Sequence, residues 1–147
     1  MQTIDTHHDF DVPASRIWAF LEDFANIEAW WPEDGPVAIR EVVLEGEGIG
    51  LIRHIHNHGM PHPVSERLDF MDKATRSLKL SIVGHKPAGI VRYQAHGQVI
   101  ELGEGRCRLT YHSEFEAEPG RDNEARDFLT ACYPLMFRGL EQAAQRG

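Results

Sequence analysis

The sequence predicts an α+β fold in which a seven-stranded antiparallel sheet curls around one long amphipathic helix. Three observations lead to this prediction. Apolar and polar residues alternate over most of the chain, as expected for half-buried strands. The breaks between the alternating segments are short and turn-like, which suits an antiparallel meander. Helical periodicity is confined to a segment after the first strand and to the C-terminal part, and a long helix inside the curl of the sheet buries the apolar faces of both.

The chain begins with a predicted strand over residues 3–11, followed by two short helical segments. Pro13 is tolerated in the first turn of the first segment, whose apolar residues recur at spacings of three and four. These apolar residues are Ile17, Phe20, Leu21 and Phe24. The second segment covers 25–31 and ends before Pro32, because a residue that precedes proline is disfavoured in helical geometry.

Six further strands and a long helix complete the predicted order. The strands are expected at 37–45, 49–58, 63–72, 76–84, 89–102 and 106–117. A helix over 121–145 follows. Its apolar stripe consists of Phe128, Leu129, Cys132, Tyr133, Met136, Phe137, Leu140 and Ala144. Pro134 lies in mid-helix and removes a backbone hydrogen bond, so we expect a kink and a cavity between helix and sheet, unless packing absorbs the kink.

The composition fits a single domain over residues 1–147 and argues against two classes of partner. The hydrophobic fraction is 41%, enough for a sizeable core. A net charge of −8 disfavours nucleic acid and anionic membrane surfaces, because both attract basic proteins. No apolar run approaches the roughly 20 residues of a membrane span, and the polar N-terminus does not resemble a secretory signal. Two cysteines, Cys107 and Cys132, are too few for a disulfide scaffold, so we expect a cytoplasmic protein.

Alternation also assigns one side of each strand to the interior. We take the more apolar side as inward, because a shift of one residue would turn the whole apolar set to solvent. The inward residues are then Ile4, Thr6, His8 and Phe10; Ile49, Leu51, Arg53 and Ile55; Val64, Glu66, Leu68 and Phe70; Leu78, Leu80 and Ile82; Val91, Tyr93, Ala95 and Val99; Leu109, Tyr111, Ser113 and Phe115.

This assignment places Arg53 and Glu66 on the inner face of neighbouring strands. A buried charge without a partner is costly, so each is most simply explained by an ion pair with the other. Further polar atoms on the same interior come from His8, Tyr93, Tyr111 and Ser113. An apolar pocket with a few convergent polar groups is typical of a small-molecule site. The alternative is a structural ion pair with tyrosines that are hydrogen-bonded to the backbone.

The stretch from His54 to His62 contains four histidines, and two alternatives exist for it. His54, His56 and His58 share one strand face with neighbours about 6–7 Å apart, and His62 across the turn would add a third zinc ligand to two of them. The same parity that turns Arg53 inward turns this face outward, and no carboxylate from the inner face accompanies it. We therefore expect a solvated histidine face and no functional metal.

Several segments together resemble a known family. They are Val12–Phe20, Phe24–Pro32, Gly48–Arg53, Ser65–Leu68 with Asp72, and Leu109–Tyr111. With the order of elements, they resemble the START-like (Bet v 1-like, SRPBCC) superfamily, and within it the polyketide cyclase/dehydrase group. The resemblance implies a helix-grip fold with a deep cavity for an apolar or aromatic ligand. Relatives include aromatase/cyclases, lipid carriers and hormone receptors. The group usually has tryptophan where this chain has Tyr111, which adds a hydroxyl to the cavity.

Two functional hypotheses follow, and a metal-dependent enzyme that uses the histidine cluster is a third. In the first, the protein catalyses cyclisation, aromatisation or dehydration of a small aromatic or polyketide-like compound without a cofactor. Arg53 would hold an oxyanion, Glu66 or His8 would move a proton, and Tyr93 and Tyr111 would position the substrate. Further predicted ligand-binding residues are Trp30, Leu68, Leu80, Ser113, Tyr133 and Phe137. In the second hypothesis the same residues orient the ligand of a carrier or sensor. An exposed strand edge would also allow a homodimer.

Overall fold

Seven antiparallel strands and three helices make up the computed structural model, which describes residues 1–146. Gly147, the last residue of the predicted domain, lies outside the described residues. The strands are β1 (Gln2–Phe10), β2 (Ile39–Glu45), β3 (Ile52–Asn57), β4 (Val64–Asp72), β5 (Ser77–Val83), β6 (Ile90–Gly103) and β7 (Arg106–Ala117). The helices are α1 (Ala14–Glu22), a 3-10 helix (Phe24–Ala29) and α2 (Asp122–Arg146). The predicted elements are therefore confirmed, with boundaries that differ by a few residues.

The strands lie in the order β1-β7-β6-β5-β4-β3-β2, so β1 and β2 are the two edges of the sheet. The chain crosses from one edge to the other through α1 and the 3-10 helix, and then returns strand by strand as a meander. Helix α2 contacts β1, β7 and α1. The core lies between the inner face of the sheet and these helices. This is the predicted α+β architecture, a curled sheet that holds a long C-terminal helix.

Most inward assignments are confirmed by burial, but three predicted inward side chains are exposed. Ile49 precedes the first residue of β3 and is 61% exposed. Phe70, 42% exposed, follows a register shift after Leu68, and Val91 lies within a similar shift near the start of β6. An extra residue in one strand reverses the alternation beyond it, so the side chains after a bulge point to the opposite face.

Helix α2 runs through Pro134 without a break, and the proline lies on its exposed side. A kink at this position therefore stays a prediction. The buried side of α2 includes Leu129, Tyr133, Met136, Phe137 and Leu140, which were all assigned to the apolar stripe. The buried side also includes Gly139, a residue that the periodicity of apolar side chains does not detect.

Candidate ligand-binding site

A cavity of about 100 Å³ lies between the inner face of the sheet and the middle of α2. The residues that α2 contributes to its wall are Phe128, Leu129, Cys132, Tyr133 and Met136. The segment that joins the 3-10 helix to β2 contributes Trp30, Trp31 and Val37, beside Ile27 and Ile39. The sheet contributes apolar Ile55, Val64 and Ile82 and polar Arg53, Asn57, Glu66, Tyr93 and Tyr111. The wall is therefore mostly apolar, with its polar groups concentrated on the sheet.

Two tryptophans line the cavity on the side of the 3-10 helix. Trp30 is buried, whereas Trp31 is partly exposed and donates a hydrogen bond from Nε1 to the carbonyl oxygen of Val37 at 2.7 Å. This bond links the beginning of the segment that joins the 3-10 helix to β2, at Trp31, with its end, at Val37. Trp30 thus belongs to the core and to the cavity wall at once, while Trp31 lies towards the solvent.

Arg53 and Glu66 form an ion pair at the sheet side of the cavity, as the sequence predicted. They are direct partners in the register of β3 and β4. Arg53 Nε and Nη2 lie 2.8 and 2.7 Å from the same oxygen, Glu66 Oε1, which leaves Oε2 outside this contact. Arg53 Nη1 donates to the carbonyl oxygen of Phe24 at 2.8 Å, and the guanidinium lies 3.8 Å from the centroid of the Phe24 ring.

The ion pair is buried, with side chains that are 8% and 17% exposed. Charges in such a position must be paired and hydrogen-bonded, because each one alone would cost several kcal/mol, on the order of 3–5, when its partner is removed. Nε, Nη1 and Nη2 of Arg53 each contact a protein oxygen, so at most two of its five N–H groups remain for a ligand. The pair is neutral as a whole, and it presents both a donor and an acceptor to the cavity.

All three tyrosines of the chain lie in the cavity wall. The hydroxyls of Tyr93 and Tyr133 are 2.8 Å apart, and Ser113 Oγ lies 2.7 Å from the Tyr133 hydroxyl. Tyr111 packs edge-on against the ring of Tyr133, with centroids 5.2 Å apart. Burial raises the pKa of all three phenols above the usual value of 10.0, and the nearby Glu66 carboxylate acts in the same direction. These hydroxyls are therefore protonated at neutral pH, and they act as hydrogen-bond donors and acceptors rather than as bases.

Gly97 makes room for Tyr111. The two residues are direct partners in the register of β6 and β7. A Cβ atom at position 97 would lie 3.3 Å from Tyr111 Cδ1, tighter than an ordinary contact. The ring lies over the bare backbone of β6, and glycine inside a strand often marks such a close approach.

Asn57 is a polar residue of the cavity that the sequence interpretation did not name. It follows Arg53 and Ile55 on the inner face of β3, it is 5% exposed, and it lines the cavity. The alternation that places Arg53 on the inner face also places Asn57 there, so the sequence contains the signal that identifies it.

The structure brings together six of the predicted site residues and leaves five outside the main cavity. The six that line it are Arg53, Glu66, Trp30, Tyr93, Tyr111 and Tyr133. Leu80 lines an adjoining cavity of about 30 Å³, which shares Arg53, Trp30 and Tyr111 with the first. Ser113 is hydrogen-bonded to the Tyr133 hydroxyl, and Leu68 packs in the core. Their roles in binding or catalysis stay predictions.

The expectation that His8 shares an interior with Arg53 is wrong. Its ring stacks on Phe137 at 5.3 Å between centroids, and Nε2 lies 3.3 Å from Glu141 Oε2. These residues line a surface groove between β1 and α2. Because β1 is an edge strand, its inward side chains meet the second half of α2 instead of the region around β3 and β4. His8 and Phe137 are therefore separate from the cavity.

The histidine face of β3 lies on the outer side of the sheet. His54 and His56 alternate with the buried Arg53, Ile55 and Asn57. His54 contacts Ser65 Oγ at 2.7 Å and Glu45 Oε1 at 3.0 Å. Within residues 1–146, no three His, Cys, Asp or Glu side chains are grouped closely enough to hold a metal ion.

The curled sheet, the long C-terminal helix and the short helices after β1 define the Bet v 1-like helix-grip fold. The chain belongs to the family described as polyketide cyclase/dehydrase and lipid transport, whose model matches residues 1–145. No curated protein sequence was found to match it. None of the helices described in residues 1–146 is long and apolar enough to cross a membrane.

Several solved structures share this fold. One is norcoclaurine synthase from Thalictrum flavum in complex with dopamine and hydroxybenzaldehyde, with a TM-score of 0.80 and 18% identity over 99% of this chain and 87% of that chain. Another is the protein XoxI from Bacillus cereus, with a TM-score of 0.82 and 22% identity over 99% and 96% of the two chains. A protein from Bacillus thuringiensis has a TM-score of 0.82 and 20% identity over 98% and 99%. At identities of 18–22%, the similarity establishes a shared fold alone.

Proposed function

We propose that the cavity binds a small, neutral aromatic or polyketide-like compound and that Arg53 and Glu66 catalyse its cyclisation, aromatisation or dehydration without a cofactor. The observation that carries the proposal is a buried ion pair beside three tyrosines in an otherwise apolar cavity. Such polar groups are expensive to bury, and an apolar pocket with a few of them is the usual form of a small-molecule site. Membership of a polyketide cyclase/dehydrase family supports the reaction class.

The size and charge of the cavity limit the ligand. A volume of about 100 Å³ is smaller than the roughly 150 Å³ cavity that holds benzene in another protein. The enclosed space therefore holds no more than one ring, and a longer chain requires movement of Trp30 or Trp31. Because Arg53 and Glu66 neutralise each other, a neutral ligand fits better than a charged one. The norcoclaurine synthase structure that contains dopamine and hydroxybenzaldehyde shows that this fold accommodates single-ring compounds.

The proposed reaction begins with the transfer of a proton from a carbon next to a ligand carbonyl to Glu66. The electron pair of that C–H bond forms an enolate, whose oxygen accepts hydrogen bonds from the remaining N–H groups of Arg53 and from the Tyr111 hydroxyl. The enolate carbon then attacks a second carbonyl of the same molecule, and that oxygen takes the proton back from Glu66. Loss of a second α-proton to Glu66, and its return to the departing hydroxyl, releases water and leaves a double bond.

A carrier or sensor of the same kind of ligand is the second candidate. The observation that favours it is the extent to which the polar groups satisfy one another. Arg53 is held by Glu66 and by the Phe24 carbonyl, and Tyr133 by Tyr93 and Ser113. In this role the polar groups orient the ligand and no bond changes.

Glu66→Gln separates the two candidates, because glutamine keeps the hydrogen-bond acceptor for Arg53 and cannot take up a proton in the same way. The experiment incubates a short linear 1,3,5-triketone with the protein and follows the loss of one water by mass spectrometry. We expect turnover by the unmodified protein, and a loss of roughly 10²–10⁴-fold in Glu66→Gln with ligand affinity nearly unchanged. Glu116→Gln, on the exposed face of β7, is the matched control. Binding without any chemical change in the unmodified protein favours the carrier.

A further inference from the structure

Asn57 Oδ1 is a buried acceptor without a protein partner. Within residues 1–146 it is the one side-chain nitrogen or oxygen that is fully shielded from solvent and has no hydrogen bond. The residue is 5% exposed, and its side chain lines the cavity. Buried polar groups in native proteins nearly always have a partner, so an exception at a cavity wall indicates a group that a ligand completes.

In the part of the chain that the structure describes, the surroundings of Asn57 are apolar and offer its Oδ1 no hydrogen-bond partner. The neighbouring parts of the wall are Ile39, Ile55 and Val64, which are all apolar. Ile39 is its direct partner in β2, next to a register shift in the pairing of β2 and β3. An aliphatic residue at position 57 would suit this environment without leaving any group unsatisfied. The amide is therefore costly at this position unless a hydrogen-bond donor, such as a ligand group, approaches Oδ1.

The position relative to Arg53 defines which part of the ligand Asn57 contacts. The two residues lie on the same face of β3, four positions apart, which corresponds to about 13 Å along the strand. Arg53 supplies donors and Asn57 Oδ1 supplies an acceptor, at the two ends of the part of β3 that lines the cavity. A single ring with a carbonyl at one end and a hydroxyl or N–H group at the other complements both ends.

We propose that Asn57 is a specificity-determining residue whose Oδ1 accepts a hydrogen bond from a hydroxyl or N–H group of the ligand. This inference rests on the proposed function, because it concerns the same cavity. It adds the substrate class: a ring that carries a hydrogen-bond donor opposite its carbonyl group. A site that hydrogen-bonds such a group rejects analogues that lack it more strongly than an apolar pocket rejects a change in size.

The test measures the affinities of three single-ring ketones by calorimetry. 4-Hydroxyacetophenone carries the donor, 4-methylacetophenone replaces it with a group of similar size, and 4-methoxyacetophenone keeps the oxygen without the hydrogen. We expect the hydroxy compound to bind at least tenfold more tightly than both others. In Asn57→Leu we expect this preference to fall to less than threefold, with the methyl compound bound as well as or better than before. Asn26→Ala, an exposed asparagine in the 3-10 helix, is the control and should keep the preference.

The other outcomes distinguish a failure of the role of Asn57 from a failure of the proposed function. Binding of all three ketones without preference, or a preference that persists in Asn57→Leu, overturns the role of Asn57 and leaves the proposed binding function intact. Tighter binding of the methoxy compound overturns it too, because the amide N–H would then be the contact. Absence of binding by every ketone contradicts the proposed function, and this inference with it. If Asn57→Leu fails to fold, Asn57→Ala serves, since alanine also removes the acceptor and the preference should fall in the same way.

Discussion

Gly139 of α2 lies directly against the backbone carbonyl of Trp30. A Cβ atom at position 139 would overlap the Trp30 oxygen and lie 2.8 Å from Pro32 Cδ. The segment that carries both cavity tryptophans therefore approaches α2 as closely as a bare helix backbone allows. Glycine in a helix is otherwise unfavourable by about 1 kcal/mol relative to alanine, so this contact gives the residue a structural reason.

Gly139→Ala should lower the free energy of unfolding, because the added methyl group meets backbone rather than a movable side chain. Overpacking of this kind costs about 1–3 kcal/mol, which exceeds the gain in helix propensity. Chemical denaturation measures the change. Gln142→Ala, on the exposed side of the same helix, should be neutral within about 0.5 kcal/mol. A Gly139→Ala variant that is as stable as the unmodified protein would show that the helix and the Trp30 segment are not in this contact.

The three tyrosines should resist alkaline titration in the folded protein. Burial, with a smaller effect of the Glu66 carboxylate, raises the pKa of Tyr93, Tyr111 and Tyr133 above 10.0. Phenolate absorbance at pH 10 should therefore be lower in the native state than in the chain unfolded in guanidinium, which should titrate near pH 10. Since these are the only tyrosines in the sequence, no exposed tyrosine contributes to the absorbance. Absorbance equal to one or more phenolates in the folded protein below pH 10 would contradict their burial.

The same shifts fix the sign of a stability change at high pH. The folded state holds the phenolic protons more tightly than the unfolded state does, so their contribution to stability is complete below about pH 10. Above that pH the unfolded chain loses protons that the folded protein keeps. The free energy of unfolding should then fall by up to about 1.4 kcal/mol per pH unit for each tyrosine. A Tyr93→Phe variant should show a smaller slope than the unmodified protein in denaturation series above pH 10, and an equal slope would count against the prediction.

Glu66→Leu should destabilise the protein strongly, because it leaves the buried guanidinium of Arg53 without its carboxylate. Breaking a buried pair from one side costs about 3–5 kcal/mol, whereas replacing both partners with apolar residues is often nearly neutral. The double variant Arg53→Leu/Glu66→Leu should therefore be more stable than Glu66→Leu. The same substitutions at the exposed pair of Arg92 and Glu116 should show a coupling of about 1 kcal/mol or less. Additive effects at Arg53 and Glu66 would mean that the two side chains do not interact.

The order of elements follows from local pattern, and for this reason it was predictable. The alternation from Arg53 to Asn57 and the register that sets Arg53 opposite Glu66 are both consequences of the two-residue period of a strand. Given that period and the cost of a lone buried charge, the ion pair could be inferred from the sequence. Asn57 follows from the same rule and was overlooked because an amide does not require a charged partner.

Other features depend on tertiary geometry that the local pattern does not contain. The bulges that turn Phe70 and Val91 outward add a residue to one strand without changing its composition. The separation of His8 from the cavity depends on how far β1 lies from β3 in the sheet, which is a matter of strand order. The role of Gly139 depends on the approach of another segment. Nothing in the sequence pattern of α2 indicates that another segment packs against Gly139.

A small aromatic ketone should bind in the cavity bounded by Arg53, Glu66 and the three tyrosines. The most direct test of this binding is an NMR titration of protein labelled with ¹³C in the tyrosine rings, with 4-hydroxyacetophenone as ligand. Because each of Tyr93, Tyr111 and Tyr133 lines the cavity, we predict saturable shifts of all three ring signals. The indole signal of Trp18, which is buried in α1 and does not line the cavity, should stay unchanged. Tyrosine signals that do not move at saturating ligand would contradict binding in this cavity.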